Sequence, residues 1–536
     1  VSNLPLVLNS QSVVGDSRGP RRFPLLAGAV IALACVWAIY VHLAVRILPF
    51  DDAYITFRYV ENTVAGNGPV YNIGQRVFGV STPLYFAWLV FLKIIFHSVD
   101  LPTLAVRTNC VWFILTGFGA FFLVRRCTSH YGLATAAAAT LLLSRQMLEV
   151  STGGMEPFMF LSCVIFALIA ASLRRPLLFG ILLGLAVLCR LEGICLVPVG
   201  FLVFGKSWRD LFWIMVISAS LILLWLVPAT IYFGTPIPHS IIAKSKPMYI
   251  LPRTQGLVSL TWYMSASFVF ANKWIGYCLI SIEFAGVMVC YGIKECRQRV
   301  AYGAGLFFCT IFCMYIAGNP LFFPWYEPPF FASGLIGFLI TAHALLRHFG
   351  GLKSTALPGQ NSNFAMVLAK RIAMLIGIIL MVHITVGPYR KGHINFSTPM
   401  TDVAADPARL RAQAYRKCAA IINGLEKSGD RVALPEIGGF GYYYKGWVLD
   451  SCGLVSPEAL PFLPTDGGKI PISFVMATKP EWVVSIPSFA ADTLFNMPWF
   501  KDHYELVQSV PLEISLWGSD AVLIYRSKAS FSEALH

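Results

Sequence analysis

Apolar runs separated by short polar or basic stretches fill the first three quarters of the chain. They fall at roughly 24–47, 103–124, 132–149, 157–173, 176–189, 192–204, 211–233, 274–293, 300–317, 328–347 and 371–387. Most are long enough for a helix rising about 1.5 Å per residue to cross a bilayer. The two runs within 176–204 are too short to cross cleanly and predict a helix pair that dips, or tilts and breaks, around Arg190. A twelfth run, 82–97, is short and contains Lys93. From about residue 395 the pattern becomes that of a soluble domain. Asp406-Pro407 opens a helix of roughly 408–425 with proline in its first turn. Strand-like runs follow at Arg431–Pro435, Tyr442–Leu449, Trp482–Ser485, Tyr504–Val510 and Ala521–Tyr525, parted by Gly- and Pro-rich turns. The prediction is a polytopic α-helical membrane protein with about eleven transmembrane helices and a small C-terminal α/β domain.

Composition agrees. Of 536 residues 57% are hydrophobic and only 13% charged, with a mean hydropathy of +0.67, against about 25% charged residues in soluble domains. The net charge of +14 does not point to nucleic acid, because of where it lies. With 82–97 in the interface rather than across it, six basic clusters share one side: Arg18/Arg21/Arg22, Arg125-Arg126, Arg174-Arg175, Lys206/Arg209, Lys294/Arg297/Arg299 and Arg347/Lys353/Lys370/Arg371. Only Asp16, Asp210 and Glu295 accompany them. Cytoplasmic loops carry this excess. The expected organisation is therefore a cytoplasmic tail 1–23, a transmembrane catalytic module 24–390 with an external loop 48–81, and an extracytoplasmic domain 391–536 that is a candidate carbohydrate binder. The first apolar run lacks a small-residue cleavage pattern and is expected to stay as a span. Eleven of thirteen cysteines lie in or beside apolar runs. Cys418 and Cys452 fall in the polar domain, and a disulfide between them is an open alternative.

The candidate chemistry collects on the outer side. Asp51 and Asp52 directly follow the first span, and the loop continues through Arg58, Glu61-Asn62, the Gly66–Pro69 turn, Tyr71-Asn72 and Arg76. A mere connector could be shorter and less polar, so this loop is expected to floor an active site. Adjacent residues of a helix point about 100° apart, so one aspartate is expected to face the cavity while the other caps the helix. Which does which stays open. Arg190 and Glu192 sit at the helix break, where a charge inside the membrane favours a wet cavity over lipid. Glu156 is either a second carboxylate or a helix cap; Tyr326 and Glu327 are expected to line the cavity. Carboxylates at a rim, cations deeper in and apolar walls suit group transfer from a lipid-phosphate donor to a hydroxyl. A divalent cation on Asp51 and Asp52 is the one cofactor the residues suggest.

The stretches Asp51–Tyr59, Gly68-Pro69-Val70-Tyr71-Asn72 and Ser81-Thr82-Pro83-Leu84 resemble the first external loop of GT-C glycosyltransferases that use polyprenyl-phosphate sugars. The nearest likeness is to the branch holding the actinobacterial terminal arabinofuranosyltransferases of cell-wall arabinan. Protein O-mannosyltransferases and lipid A aminoarabinose transferases are more distant. Further matches are Ser151–Pro157, Arg190-Leu191-Glu192-Gly193, Gly234–His239 with Ala243-Lys244-Ser245, Trp325-Tyr326-Glu327, Pro435-Glu436-Ile437-Gly438, Gly441-Tyr442-Tyr443 and Leu449-Asp450 with Gly453-Leu454-Val455. The resemblance implies a GT-C type fold, a catalytic carboxylate from the Asp51/Asp52 pair, and handling of donor phosphate and sugar by Arg58, Arg190, Glu192, His239 and Lys244. The implied partners are a polyprenyl-phosphate sugar, a glycan or glycoconjugate acceptor and the bilayer, with no nucleic acid. Two positions depart from the pattern: His239 stands where an asparagine is expected, and Pro157 where a threonine is. Tyr442–Tyr444 and Trp447 can stack on sugar rings, although at strand spacing alternate residues would be core. The rivals are a lipid-linked sugar transporter or flippase, a protein O-glycosyltransferase of the same superfamily, and a non-catalytic polysaccharide-assembly subunit.

Overall fold

The computed structural model describes residues 22–44, 49–245, 302–318, 322–352, 407–425 and 429–528, with the single positions 257, 258, 284 and 320. The expected runs 274–293 and 371–387, the tail 1–21 and the loop 353–364 lie outside the described residues.

The first helix, α1 (Arg22–Ala44), shows how these segments pack. Ala27, Ile31, Ala34, Ala38 and Val41 are buried and recur at alternating steps of four and three. This is one helix face, made small enough for backbones to approach closely. It lies on α4 (Leu101–Thr128) and α5 (Tyr131–Leu143), while Leu33 on the other side is 70% exposed. At the centre, α7 (Pro157–Ser172) has thirteen of its sixteen residues buried, as a helix enclosed on all sides must be. Between α5 and α7, Ser144 breaks the helix and caps α6 (Arg145–Ser151), its side chain accepting from Met147 N. By contrast α10 (Trp208–Phe233) buries only Ile214, Ser218 and Ala229 and presents the rest outward, as a lipid-facing helix does.

The short run near Lys93 forms α3 (Pro83–Ile95). Near its start Tyr85 donates to Gly154 O at 2.9 Å, and near its end Lys93 reaches Glu61 at 3.4 Å. At about 1.5 Å per residue its thirteen residues also fall short of a bilayer. The helix break is present too. α8 (Pro176–Cys189) stops at an extended Arg190, a 3-10 turn covers Leu191–Leu196, and α9 (Val197–Phe204) returns beside α8. Gly193 makes the reversal: a Cβ there would lie 2.5 Å from the Ala186 backbone, so only glycine permits this approach. The two described basic pairs Arg125-Arg126 and Arg174-Arg175 lie at the end of the bundle opposite Arg190. Arg126 donates to Ser172 O at 3.1 Å and Arg174 to the Val203 carbonyl. Three of the described helices are long and apolar enough to cross a membrane by themselves: Pro24–Leu43, Leu101–Thr128 and Trp208–Phe233. The chain is a polytopic α-helical membrane protein.

The remaining helices of the module are α2 (Ala53–Val64), α11 (His239–Ser245), α12 (Tyr302–Gly318) and α13 (Glu327–Leu352). The C-terminal unit begins with α14 (Pro407–Asn423). It then forms a five-stranded sheet in the order β2-β1-β3-β5-β4. β1 (Arg431–Leu434), β2 (Trp447–Asp450) and β3 (Trp482–Ser485) are parallel, while β4 (Tyr504–Leu516) and β5 (Ser519–Ser527) close it as an antiparallel hairpin. Alternation along the strands gives the sheet two apolar faces. Val432, Leu434, Val448 and Val484 join a core continuous with the membrane module, and Ala433, Leu449 and Val483 form a second core beneath.

Two expectations about this unit are corrected. Residues 442–449 are not one strand: Ile437–Tyr443 is a short helix, α15, and only Trp447–Asp450 pairs in the sheet. Cys418 and Cys452 are both buried free thiols, so no disulfide joins them.

Candidate active site

The segment between α1 and α2 is pinned before it reaches the aspartates. Phe50 N donates to Gly153 O at 2.9 Å, and the Phe50 ring stacks obliquely on Trp325 with centroids 5.6 Å apart. Gly153 and Gly154 make room: a Cβ on Gly153 would sit 2.3 Å from the Phe50 ring, and Gly154 has φ +75° against Pro49. The Ser151–Gly154 motif is therefore a seat for Pro49-Phe50.

Neither aspartate side chain caps its own helix. Asp52 occupies the N-cap position of α2 without a side-chain bond to it. Asp51 is buried and reaches across to the C-terminal domain, where Gly439 N donates to Oδ1 at 2.8 Å and Gly438 N to Oδ2 at 3.2 Å. Asp51 thus caps α15 instead. Both Asp51 oxygens are thus engaged, whereas the Asp52 side chain makes no hydrogen bond among the described residues.

The group around Asp52 draws on three parts of the chain. Arg411 of α14 pairs with Glu436, Nε to Oε2 2.5 Å, and its charge acts on both Asp51 and Asp52. Lys244 of α11 is within electrostatic reach of Asp52, Tyr326, Arg190 and Glu192. Burial and the charge of Asp51 push the Asp52 carboxyl above the usual carboxylate range, opposed by Arg411 and Lys244. Glu436 goes further, to about 8, through burial and the two aspartates against the pull of Arg411. The Lys244 ammonium is held above its ordinary value, first by the Tyr326 phenol and then by Asp52, against the effect of burial. Among the described residues Lys244 makes no ion pair within 4.0 Å. It is the cation best able to meet an incoming anion.

Deeper in, Arg190 Nη1 meets Glu156 at 2.8 Å and Nη2 meets Glu192 at 2.7 Å. Tyr315 donates to Glu192 at 2.6 Å, and Arg190 lies 5.0 Å from the Tyr326 ring centroid. Both arms of this guanidinium are already engaged by carboxylates. The network links the helix break to α7, α12 and the turn before α13. The helix-cap alternative for Glu156 falls: it stands at the N-cap of α7 without a side-chain bond to it and pairs with Arg190 instead.

Three expected site residues do not join the group. Arg58 is buried and directs its donors to the carbonyls of Tyr71 (2.7 Å), Tyr444 (3.3 Å), Gly446 (2.9 Å) and Gly441. That guanidinium ties α2 to the C-terminal domain and has no fork to offer a phosphate. Glu327 is buried against Gln146 of α6. His239 is buried beside the loop 75–78, its backbone N donating to Phe78 O at 2.6 Å.

Much of the first loop serves the same docking. Tyr71 donates to Ile437 O at 2.6 Å, and Asn72 exchanges two bonds with the Val448 backbone at 2.9 and 3.0 Å. Tyr442 and Tyr443 pack on Tyr54 at 5.5 and 5.9 Å, which makes them interface cement rather than an open sugar platform. From the other side Arg409, fully buried, bonds Glu149 O and Thr152 and lies over the Phe50 ring at 4.7 Å. Asp450 accepts the N–H groups of Cys452, Leu454 and Val455, which makes its motif a structural turn. Sequence reasoning missed Arg411, Glu436 as a charged partner, and Tyr315. The run Pro435-Glu436-Ile437-Gly438 was the available signal for the second.

Among the described residues no group of three His, Cys, Asp or Glu side chains is arranged to hold a metal ion. With Asp51 bonded to two N–H groups, the donor set does not fit a cation held by the chain alone.

Residues 406–525 match a family model described as a domain of unknown function, DUF8728. No curated protein matches. Among solved structures the chain is similar to ArnT from Cupriavidus metallidurans bound to undecaprenyl phosphate, at 14% identity and TM-score 0.52, covering 96% of this chain and 99% of that one. It is also similar to the oligosaccharyltransferase AglB from Archaeoglobus fulgidus in complex with an inhibitory peptide and a dolichol-phosphate, at 13% identity and TM-score 0.50, covering 90% and 73%. The same enzyme tethered to an acceptor peptide containing the NVT sequon matches at 12% identity and TM-score 0.51, covering 94% and 76%. At such identities the likeness is one of fold, and the fold is the GT-C type expected from the resemblance.

Proposed function

We propose that this chain is a membrane glycosyltransferase that moves a sugar from a polyprenyl-phosphate donor to a hydroxyl outside the cytoplasm. One observation carries the reading: the Asp52 side chain, which makes no hydrogen bond among the described residues, lies within electrostatic reach of Lys244. The excess of Lys and Arg in the loops expected on the other side supports an extracytoplasmic face for this group. The fold it shares with ArnT and AglB, one bound to undecaprenyl phosphate and the other to a dolichol-phosphate, supports a lipid-phosphate donor. Arabinofuranose and a cell-envelope glycan acceptor follow from the sequence resemblance.

In this mechanism Asp52 takes the proton of the acceptor hydroxyl as its oxygen bonds to the anomeric carbon. The bond from that carbon to the phosphate oxygen breaks, and its electron pair leaves with the polyprenyl phosphate. Lys244 meets the charge growing on that oxygen. The Arg190–Glu156–Glu192–Tyr315 network, being charge-compensated already, fixes the cavity wall behind the donor.

Two outcomes test this. Purified protein in proteoliposomes, given a polyprenyl-phosphate arabinofuranose and an oligosaccharide acceptor, should form product. Lys244→Ala should lower transfer by about 10²-fold, the scale of removing one electrostatic donor, with partial recovery in Lys244→Arg. Flipping of the donor without any transfer would refute the reading. The pH profile gives a second test. A base must be ionised, so kcat/KM falls as the pH drops through the pKa of Asp52. Arg411 holds that pKa down, so Arg411→Gln should move the acid limb of the profile to higher pH.

A further inference from the structure

The turn between β4 and β5 has a costly feature. Trp517 and Gly518 occupy its two central positions with φ of +47° and +79°, both in the left-handed region. Asn-Gly or Asp-Gly fills such a turn at low cost, whereas a bulky aromatic there is strained. The Trp517 side chain does not compensate by burial: the residue is 58% exposed, among the most exposed aromatics of the C-terminal unit. It is nevertheless held in place. Its ring centroid is 5.1 Å from that of Phe489, and the Arg411 guanidinium lies 5.4 Å from it. The turn itself is tethered through Ser519, whose Oγ accepts from Ser488 N at 3.0 Å. Arg411 is the residue that pairs with Glu436 and acts on Asp52, so the ring and the carboxylate have one guanidinium as a common neighbour.

We infer that Trp517 is an acceptor-binding platform, on which a sugar ring of a saccharide acceptor stacks while a hydroxyl of that acceptor reaches Asp52. The inference rests on the transferase reading and assigns its acceptor as a carbohydrate rather than a peptide. A fixed, exposed indole suits the apolar face of a sugar ring, whose C–H groups meet the negative face of the aromatic. The adjacent guanidinium and the Glu436 carboxyl supply hydrogen-bonding groups for the hydroxyls at its rim. Strain at an exposed position, next to the reactive group, fits selection for contact with a ligand rather than for stability.

The test uses the full chain in nanodiscs, a linear arabinofuranosyl hexasaccharide as probe and a polyprenyl-phosphate arabinofuranose as donor. Trp517→Ala should raise the KM for the hexasaccharide about tenfold, the scale of one aromatic contact. Donor KM and the melting temperature should change little. Saturation-transfer NMR should show hexasaccharide binding to the wild type and its weakening in the variant. An unchanged acceptor KM and unchanged binding would overturn the inference while wild-type transfer kept the parent reading. Binding that depends on Trp517 without any donor turnover would keep the saccharide site and remove the transferase. Quenching of the Trp517 contribution by brominated lipids, read as wild type minus Trp517→Phe, would make the ring a membrane anchor and overturn the inference.

Discussion

Asp52→Asn lowers turnover about 10²–10⁴-fold, the range spanned by positioned acid–base groups, and leaves the protein folded. The substitution keeps the size of the side chain and removes its ability to accept a proton. Burial and Asp51 already disfavour the Asp52 charge, so the neutral amide is tolerated structurally. The measurement is single-turnover transfer in proteoliposomes alongside a thermal melt. Asp51→Asn reads differently. Its carboxylate is bonded to Gly438 N and Gly439 N, so the amide loses a charge-assisted contact and weakens domain docking. A loss from Asp52→Asn no larger than that from Asp51→Asn would reverse the roles given to the pair.

Gly438→Ala is expected to undock the C-terminal domain. A Cβ there would lie 1.9 Å from the Asp51 carbonyl oxygen and 2.5 Å from its Oδ2. These are backbone and buried-carboxylate atoms, so no flexible side chain can swing away. The helix and the aspartate must separate, and with them go the two N–H bonds to Asp51. Charge-assisted hydrogen bonds are worth about 1.5–3 kcal/mol each, so the melting temperature should fall and protease should cut between module and domain. Transfer should be largely lost as well, because Arg411 and Glu436 leave with the domain. Normal activity and protease resistance in this variant would show that the docking geometry is wrong.

The bundle was legible because its signals are local. Small residues along α1 recur at helical spacing, and prolines begin α3, α4, α7 and α8. The shortness of α3 was equally plain in the sequence, since its apolar run is brief and holds Lys93. At the site, two adjacent carboxylates after an apolar run were visible for the same local reason. Their division of labour was not, because it depends on a helix from another part of the chain arriving at Asp51. That helix was itself misread. Gly438, Gly439 and Gly441 look like turn or strand punctuation, yet each is needed for close packing: on Gly438 and Gly441 a Cβ would strike Asp51 and the Tyr71 hydroxyl, and on Gly439 it would crowd Ala412. Arg58 was misassigned by the same limit. Nothing local separates a guanidinium that binds phosphate from one that binds buried carbonyls.

Arg58 and Arg409 cross between module and domain in opposite directions, and each ends on groups of the other part. The bonds of Asp51 to α15 join residues nearly 390 positions apart in the chain. During biosynthesis the first loop therefore emerges long before its partners. Its aspartates stay without those partners until the last quarter of the polypeptide has been made. The group of Asp52 with Arg411 and Glu436 can assemble only once residues 411–439 have followed, so a chain stalled in its spans holds the aspartates without it.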